Sequence, residues 1–371
     1  MRNPADFVST RALGVDASGI RKVFDLAAKM KDPINLSIGL PDFDVPEPVK
    51  EAAIASIRAG QNRYTQTQGI APLRERLRAD LSKEIGRDVG DVLVTSGVSG
   101  GLLLAIMATI NPGDEAIFLD PYFVMYKHLM TMAGGKGVPV DSYPDFRFHP
   151  ERVERAITPR TKLLILNSPS NPTGIVMTQA EVDAAVGIAR KHGLLILSDE
   201  IYEPFLYAKS AGLPSAARAY ENTVILRGFS KSHAMTGWRL GYAAGPEAVI
   251  GQMTKLQQYT FVCAPTPLQY AAVVAVDVDM TAAVDAYRRK RDIVFEGLRG
   301  KFEVQKPEGA FYIFPKAPGD SASAFVERAI AKNVLVIPGN VFSERDSHFR
   351  ISYATTDEKL AEGVQVLNSL A

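Results

Sequence analysis

Lys231 stands inside Gly-Phe-Ser-Lys-Ser-His-Ala-Met-Thr-Gly-Trp-Arg, directly after the apolar run 224–226. Most lysines are solvated, but one at the end of a buried run, in so apolar a setting, is the group that can form a Schiff base with a carbonyl. Asp199 closes a second apolar run, where a bare carboxylate is costly without a cation or hydrogen-bond donors; its plain alternative is the cap of the next helix. Arg239 can pair with a phosphate and Arg350 with a carboxylate through two parallel hydrogen bonds, although either alone also reads as an ordinary surface arginine. Gly97-Val98-Ser99-Gly100-Gly101 joins a strand to a helix expected to start near Gly100. Free N–H groups and the helix dipole favour an anion there, with phosphate the natural guest. The same five residues match G-x-S-x-G, the nucleophile elbow of α/β-hydrolases with Ser99 as nucleophile, or the glycines merely permit tight strand-to-helix packing.

A serine hydrolase needs an acid and then a histidine within reach of Ser99, and Asp199 followed by His348 is the available pair. That reading lacks an HGGG-type oxyanion loop and leaves Asn171, Lys231 and Arg239 without roles. None of the five histidines has metal-ligand spacing with another histidine or with Cys263, so no metal site is expected. A G-x-x-x-x-G-K-[ST] loop and a G-x-G-x-x-G fingerprint are both missing, which argues against P-loop and standard dinucleotide chemistry. A lysine for an aldehyde, an acid for a ring nitrogen and a Gly/Ser loop with an arginine for a phosphate together describe a pyridoxal phosphate site.

Several elements must meet to build it. Residues 91–95, 116–119, 162–166, 194–197 and 224–226 are short apolar runs, each ending in small, polar or Pro/Gly residues and followed by a helical pattern. Such runs are buried strands of a largely parallel α/β sheet. Ligands bind at the carboxyl ends of those strands, so the polar residues after each run converge on one crevice. Beyond Val278 a long charged helix is expected, with residues 287–292 at its start, then strand-like pieces at 310–314, 334–337 and 348–353. The last alternates, with Phe349, Ile351 and Tyr353 on one face and Arg350 and Ser352 on the other. The expected organisation is a large portion, 46–277, with a mainly parallel central sheet flanked by helices, and a smaller α+β portion made of 1–45 with 278–371. The 371 residues, 46% of them hydrophobic, suit about two domains. A formal net charge of +1 removes any broad attraction to nucleic acid or an anionic membrane. Apolar runs such as 102–110 fall short of the roughly 18 residues a membrane helix needs. Cys263 has no partner for an intrachain disulfide, and Met-Arg-Asn-Pro-Ala-Asp has neither an apolar core nor a cleavage site, so a reducing, cytoplasmic setting is expected.

A longer series of short stretches follows in order from about Ser18 to the end of the chain. It comprises Leu36-Ser37-Ile38-Gly39-Leu40-Pro41-Asp42-Phe43, Tyr64-Thr65 before Gly69, Thr95-Ser96-Gly97, and Asn167-Ser168-Pro169-Ser170-Asn171-Pro172-Thr173-Gly174. It continues through Ser198-Asp199-Glu200-Ile201-Tyr202, Phe229-Ser230-Lys231, Met235-Thr236-Gly237-Trp238-Arg239, Gly309-Ala310-Phe311-Tyr312 and Phe349-Arg350-Ile351-Ser352-Tyr353. In these the chain resembles the class I/II aminotransferases of the fold-type-I pyridoxal-phosphate superfamily. The resemblance implies that Lys231 holds the cofactor as a Schiff base and then moves the substrate proton, while Asp199 keeps the pyridine nitrogen protonated. It implies that Phe123 stacks on the ring and that Asn171 and Tyr202 bond its oxygen. Gly97, Val98, Ser99, Ser230 and Arg239 match the phosphate cradle, with Gly228 in place of a serine found in some relatives. Tyr64 would reach the phosphate of a neighbouring subunit, giving a homodimer with shared sites. Arg350, with Asn171 and the Gly39 backbone, would clamp the substrate α-carboxylate. The implied activity is a ping-pong exchange between an L-amino acid and a 2-oxo acid such as 2-oxoglutarate. Residues 18–26, 256–259 and 269–272 look most like aromatic or broad-specificity members, and Ser99 replaces a lysine that some aspartate-type relatives carry. Arg21 or Lys22 would offer a further cation for 2-oxoglutarate, against their plain reading as a solvated helix face. An aspartate aminotransferase and a cysteine-conjugate β-lyase are the alternatives on the same fold.

Overall fold

The computed structural model describes residues 3–17, 19–208, 212–319 and 321–371. Ser18 and the side chains of Arg21 and Lys22, weighed above, lie outside the described residues. In chain order the strands are β1 (Ile34–Asn35), β2 (Asp91–Ser96), β3 (Glu115–Asp120), β4 (Lys136–Asp141), β5 (Thr161–Asn167) and β6 (Leu195–Asp199). They continue as β7 (Thr223–Gly228), β8 (Leu240–Gly245), β9 (Tyr312–Ile313), β10 (Val334–Leu335), β11 (Ile337–Pro338) and β12 (Phe349–Ser352).

The central sheet has the order β2-β8-β7-β6-β5-β3-β4. Its pairings are parallel except the two that β8 makes. All five apolar runs become strands of this sheet, because both faces are covered. Leu163, Ile165 and Leu197 pack with Leu102 and Ile106 of helix Gly97–Thr109, whereas Leu164, Leu166 and Ile196 pack with Val182 and Val186 of helix Gln179–His192. Each such Leu or Ile contributes about 2 kcal/mol by leaving water.

Two strands carry too weak a pattern to be read in advance. β4 is an edge strand holding Pro139, a position where a missing N–H does no harm. β8 is built from glycine and alanine, since neighbours press on it: a Cβ on Gly241 would lie 2.8 Å from the Val98 nitrogen. Two expectations are corrected. The helix after β2 starts at Gly97, not near Gly100, because Gly97 itself makes the turn, with φ +65. The charged helix spans Thr281–Leu298, so residues 287–292 sit in its middle.

The remaining strands are short. β9, β11 and β12 form an antiparallel sheet around β12, and β1 pairs in parallel with β10. The Ser352 N–H donates to the Leu36 carbonyl at 2.8 Å, which brings the residues after β1 against β12. All four residues of β12 are buried, so its polar face looks into the protein rather than into solvent.

Candidate active site

β2, β6 and β7 run in one direction, and β8 runs against them. The amino end of β8 therefore lies at the same sheet edge as the carboxyl ends of the others. Ser96 pairs with Leu240, so Gly97 and Arg239, one residue beyond the ladder on each strand, face each other. A Cβ on Gly97 would come within 2.7 Å of Arg239 Nη2. The first turn of helix Gly97–Thr109 holds no acidic side chain, and Ser96 does not cap it. Uncapped N–H groups beneath a guanidinium form an anion cradle.

Asp199 ends β6 with 2% of its surface exposed. Tyr126 Oη donates to its Oδ2 at 2.7 Å and the Ile201 N–H to Oδ1 at 3.3 Å. Burial still wins over both bonds and pushes the carboxyl up to about 6. Lys231 lies in the short helix Phe229–Ser232 after β7, with its Nζ donating to the Gly39 carbonyl at 2.6 Å. Burial, then the charges of Arg350 and Arg239, lower its pKa to about 8.

Arg350 on β12 is 1% exposed. Its Nη1 donates to Asn171 Oδ1 at 3.0 Å and its Nη2 to the Ser37 carbonyl at 2.7 Å. The rings of Tyr312 and Phe342 cover the guanidinium at 4.5 and 4.7 Å, and its Nε has no partner among the described residues. Tyr202 and Tyr312 share a hydroxyl contact of 2.8 Å.

These side chains face one cavity of about 500 Å³. Val98, Ser99, Phe123, Asn171, Asp199, Tyr202, Ser230, Lys231, Arg239, Gly39 and Arg350 all line it, and Gly97 lies under Arg239. Tyr64 does not: its side chain is 83% exposed on a separate surface hollow with Arg63 and Gly69. No histidine lines the cavity. His348, the partner a Ser99 nucleophile would need, stacks on Phe314 instead, and burial takes its pKa down to about 4. Tyr126 and Phe342 escaped the sequence reading because buried aromatics read as core, and Tyr312 appeared there only as part of a motif with no role; a signal for Tyr126 was its place three residues beyond Phe123.

The donor set fits pyridoxal phosphate. A cradle that a Cβ would fill stands at Gly97, a buried carboxylate with no cation partner among the described residues stands at Asp199, and an amine of lowered pKa lies in the same cavity.

Comparison with known proteins gives the same direction. The family model "Aminotransferase class I and II" matches residues 31–367. A probable aspartate aminotransferase of Methanocaldococcus jannaschii is 37% identical, covering 98% of this chain and 99% of the relative. Aromatic-amino-acid aminotransferase 2 of Thermococcus litoralis is 39% identical, covering 96% of each. The structure of aspartate aminotransferase from Thermus thermophilus with maleate superimposes with a TM-score of 0.94 at 36% identity, over 100% of both chains.

Proposed function

The chain belongs to the class I and II aminotransferases, and from that premise we propose that it exchanges amino groups between an aromatic or large apolar L-amino acid and a 2-oxo acid such as 2-oxoglutarate, in a ping-pong sequence. It is a pyridoxal-phosphate-dependent enzyme of the α/β fold-type-I architecture. The observation that carries the reading of its site is the single cavity lined by Lys231, Asp199, Asn171 and Arg350.

Bound there, pyridoxal phosphate supplies a sink for the electron pair left when the substrate Cα loses its proton. Lys231 Nζ takes that proton and returns it, a task suited to an amine whose pKa is about 8. Asp199 presents its carboxylate to the ring nitrogen and favours a proton there. Phe123 covers the ring face. Asn171 gives its Oδ1 to Arg350, which leaves its Nδ2 to donate to the ring oxygen beside Tyr202. The N–H groups of Gly97, Val98 and Ser99, with Ser230 and Arg239, would hold the phosphate. Arg350 takes the substrate α-carboxylate, and its unpartnered Nε is the donor still to be satisfied.

Beyond those residues the cavity is walled by Ile20, Ile38, Leu40, Leu102, Val124, Met125 and Ile201, with the polar Asn167, Thr236 and Tyr312 among them. Among the described residues, Lys231, Arg239 and Arg350 are the cations that line the cavity, and all three have assigned tasks. The apolar walls support an aromatic or large apolar amino donor, while the distal carboxylate of 2-oxoglutarate falls to Arg21 or Lys22, which follow the lining residue Ile20 in sequence. A second reading, aspartate as donor, is favoured by the names of the Methanocaldococcus and Thermus proteins. Half-transamination, followed by cofactor absorbance against tyrosine, phenylalanine, aspartate, alanine and a cysteine conjugate, separates them. Tyrosine and phenylalanine should react at least about tenfold faster than aspartate. Strong aspartate turnover with negligible aromatic turnover overturns the preference, and elimination from the conjugate marks a β-lyase.

The reading includes a homodimer. Ile54, Ile57, Tyr64, Tyr259 and Val262 are exposed apolar or aromatic residues, of the kind a partner covers, and Tyr64 would enter the partner's phosphate site. It also keeps the division into 46–277 and 1–45 with 278–371, with the cavity between them, and a cytoplasmic setting. No helix among the described residues is long and apolar enough to cross a membrane.

A further inference from the structure

Residues 36–43 have no helix or strand of their own, and Ile38, Gly39 and Leu40 within them line the cavity. Their main-chain oxygens nevertheless aim two cations. The Ser37 carbonyl accepts from Arg350 Nη2 at 2.7 Å, and the Gly39 carbonyl accepts from Lys231 Nζ at 2.6 Å. A stretch without ladder bonds holds such aim only if both of its ends are fixed. The upstream end is: the Leu36 N–H donates to the Leu335 carbonyl at 2.9 Å, and the Leu36 carbonyl accepts from Ser352.

The downstream end is fixed by Asp42. Its N–H donates to Tyr287 Oη at 3.0 Å, Tyr287 Oη donates in turn to Asp42 Oδ1 at 2.7 Å, and Lys290 Nζ pairs with Oδ2. Tyr287 and Lys290 are three residues apart on helix Thr281–Leu298, so they point the same way. Lys290 is only 8% exposed, and a lysine that deep persists because a carboxylate meets it. Tyr287 is itself held, stacked on Phe311 with centroids 5.3 Å apart, and Phe311 meets Tyr202 edge-on at 5.4 Å. The anchor is thus tied through rings to the tyrosines of the cavity.

We propose that Asp42, Lys290 and Tyr287 form a positioning clamp that sets residues 37–40 and, through the Ser37 carbonyl, the aim of Arg350. None of these three residues is among those that line the cavity. The kinetic part of the inference rests on Arg350 being the α-carboxylate site. Amino donor and oxo acceptor share that carboxylate, so loosening the clamp raises both KM values by a common factor and leaves kcat nearly alone.

Two measurements test this on Lys290→Met, Lys290→Arg and Tyr287→Phe. Hydrogen exchange on the cofactor-free protein should speed up about tenfold over amides 37–42 in Lys290→Met and stay unchanged in β5 and β6. In the loaded enzyme, KM for donor and acceptor should rise together by about tenfold, as expected of a sub-ångström misplacement of the clamp arginine, while kcat stays within about twofold. Lys290→Arg should recover most of both effects. Should Lys290→Met fail to fold, Tyr287→Phe keeps the ion pair, removes both hydroxyl bonds and should show a smaller shift in the same amides. Unchanged exchange over 37–42, exchange raised evenly through the whole chain, or a fall in kcat with KM untouched overturns the clamp. If the unmodified enzyme transaminates nothing, the functional reading fails, and the exchange result still decides the clamp.

Discussion

Asp199 has two donors and no cation partner among the described residues, and its carboxyl is held at about 6 rather than 3.8. The folded chain keeps this proton longer than the unfolded chain does, so between those two pH values stability falls as pH rises. His348 works in the opposite sense: with its pKa lowered from 6.5 to about 4, stability is lost as pH falls through that range. The two effects oppose each other in the unmodified protein, so the informative quantity is the difference between wild type and Asp199→Asn, both cofactor-free. From pH 4 to pH 7 the variant should gain on wild type by on the order of 3 kcal/mol in urea unfolding; a difference that does not change with pH would contradict the assignment. At this scale the sequence was most informative where a polar residue interrupts an apolar context, as at Lys231, Asp199 and Arg350. It gave no role to Tyr312, quoted only within a motif, and was silent on Tyr126 and Phe342, since whether a buried aromatic serves a core or a site depends on which side chain it meets across the fold.

Strand direction explains why a phosphate cradle can be assembled from residues more than a hundred positions apart. Within the central sheet β8 opposes both its neighbours, and that reversal delivers Arg239 to the edge where helix Gly97–Thr109 begins. Gly97 occupies the left-handed region at φ +65 with Arg239 against its open side. Gly97→Ala adds strain of roughly 1–2 kcal/mol and displaces the guanidinium. Absorbance titration with pyridoxal phosphate should show affinity weakened by more than about tenfold, with the protein still folded; unchanged affinity would mean the cradle lies elsewhere. Apolar strands buried on both faces were legible as runs. β4 and β8 were not, because an edge strand tolerates proline and a crowded strand takes glycine, and both substitutions erase the pattern. The start of the helix at Gly97 was missed for a related reason: a glycine reads as part of the turn, although its N–H already belongs to the first helical turn.

Across the whole molecule, the cavity takes Asp199 from the central sheet, Lys231 from the short helix after β7, Arg350 from the β11-β12-β9 sheet, and Ile38 to Leu40 from the segment after β1. This convergence of distant segments is why an ordered series of short motifs carried more information than any one of them. Of the predicted site residues, Gly97 lies behind Arg239 rather than on the cavity surface, and Tyr64 stands on a separate hollow. Mixing decides whether a second chain brings Tyr64 to the site. On the dimer proposed above, the Lys231→Ala and Tyr64→Ala variants should each be impaired, and a re-associated mixture, in which a mixed pair has one site carrying both native residues, should regain up to roughly a quarter of wild-type activity. No recovery on mixing would place each site within a single subunit. The central claim, that Lys231 bears the aldehyde of the cofactor, is tested most directly by borohydride reduction of the yellow holoenzyme followed by peptide mapping. The pyridoxyl mass should sit on the peptide containing Lys231; a label on any other lysine, or none in protein saturated with cofactor, would contradict the account.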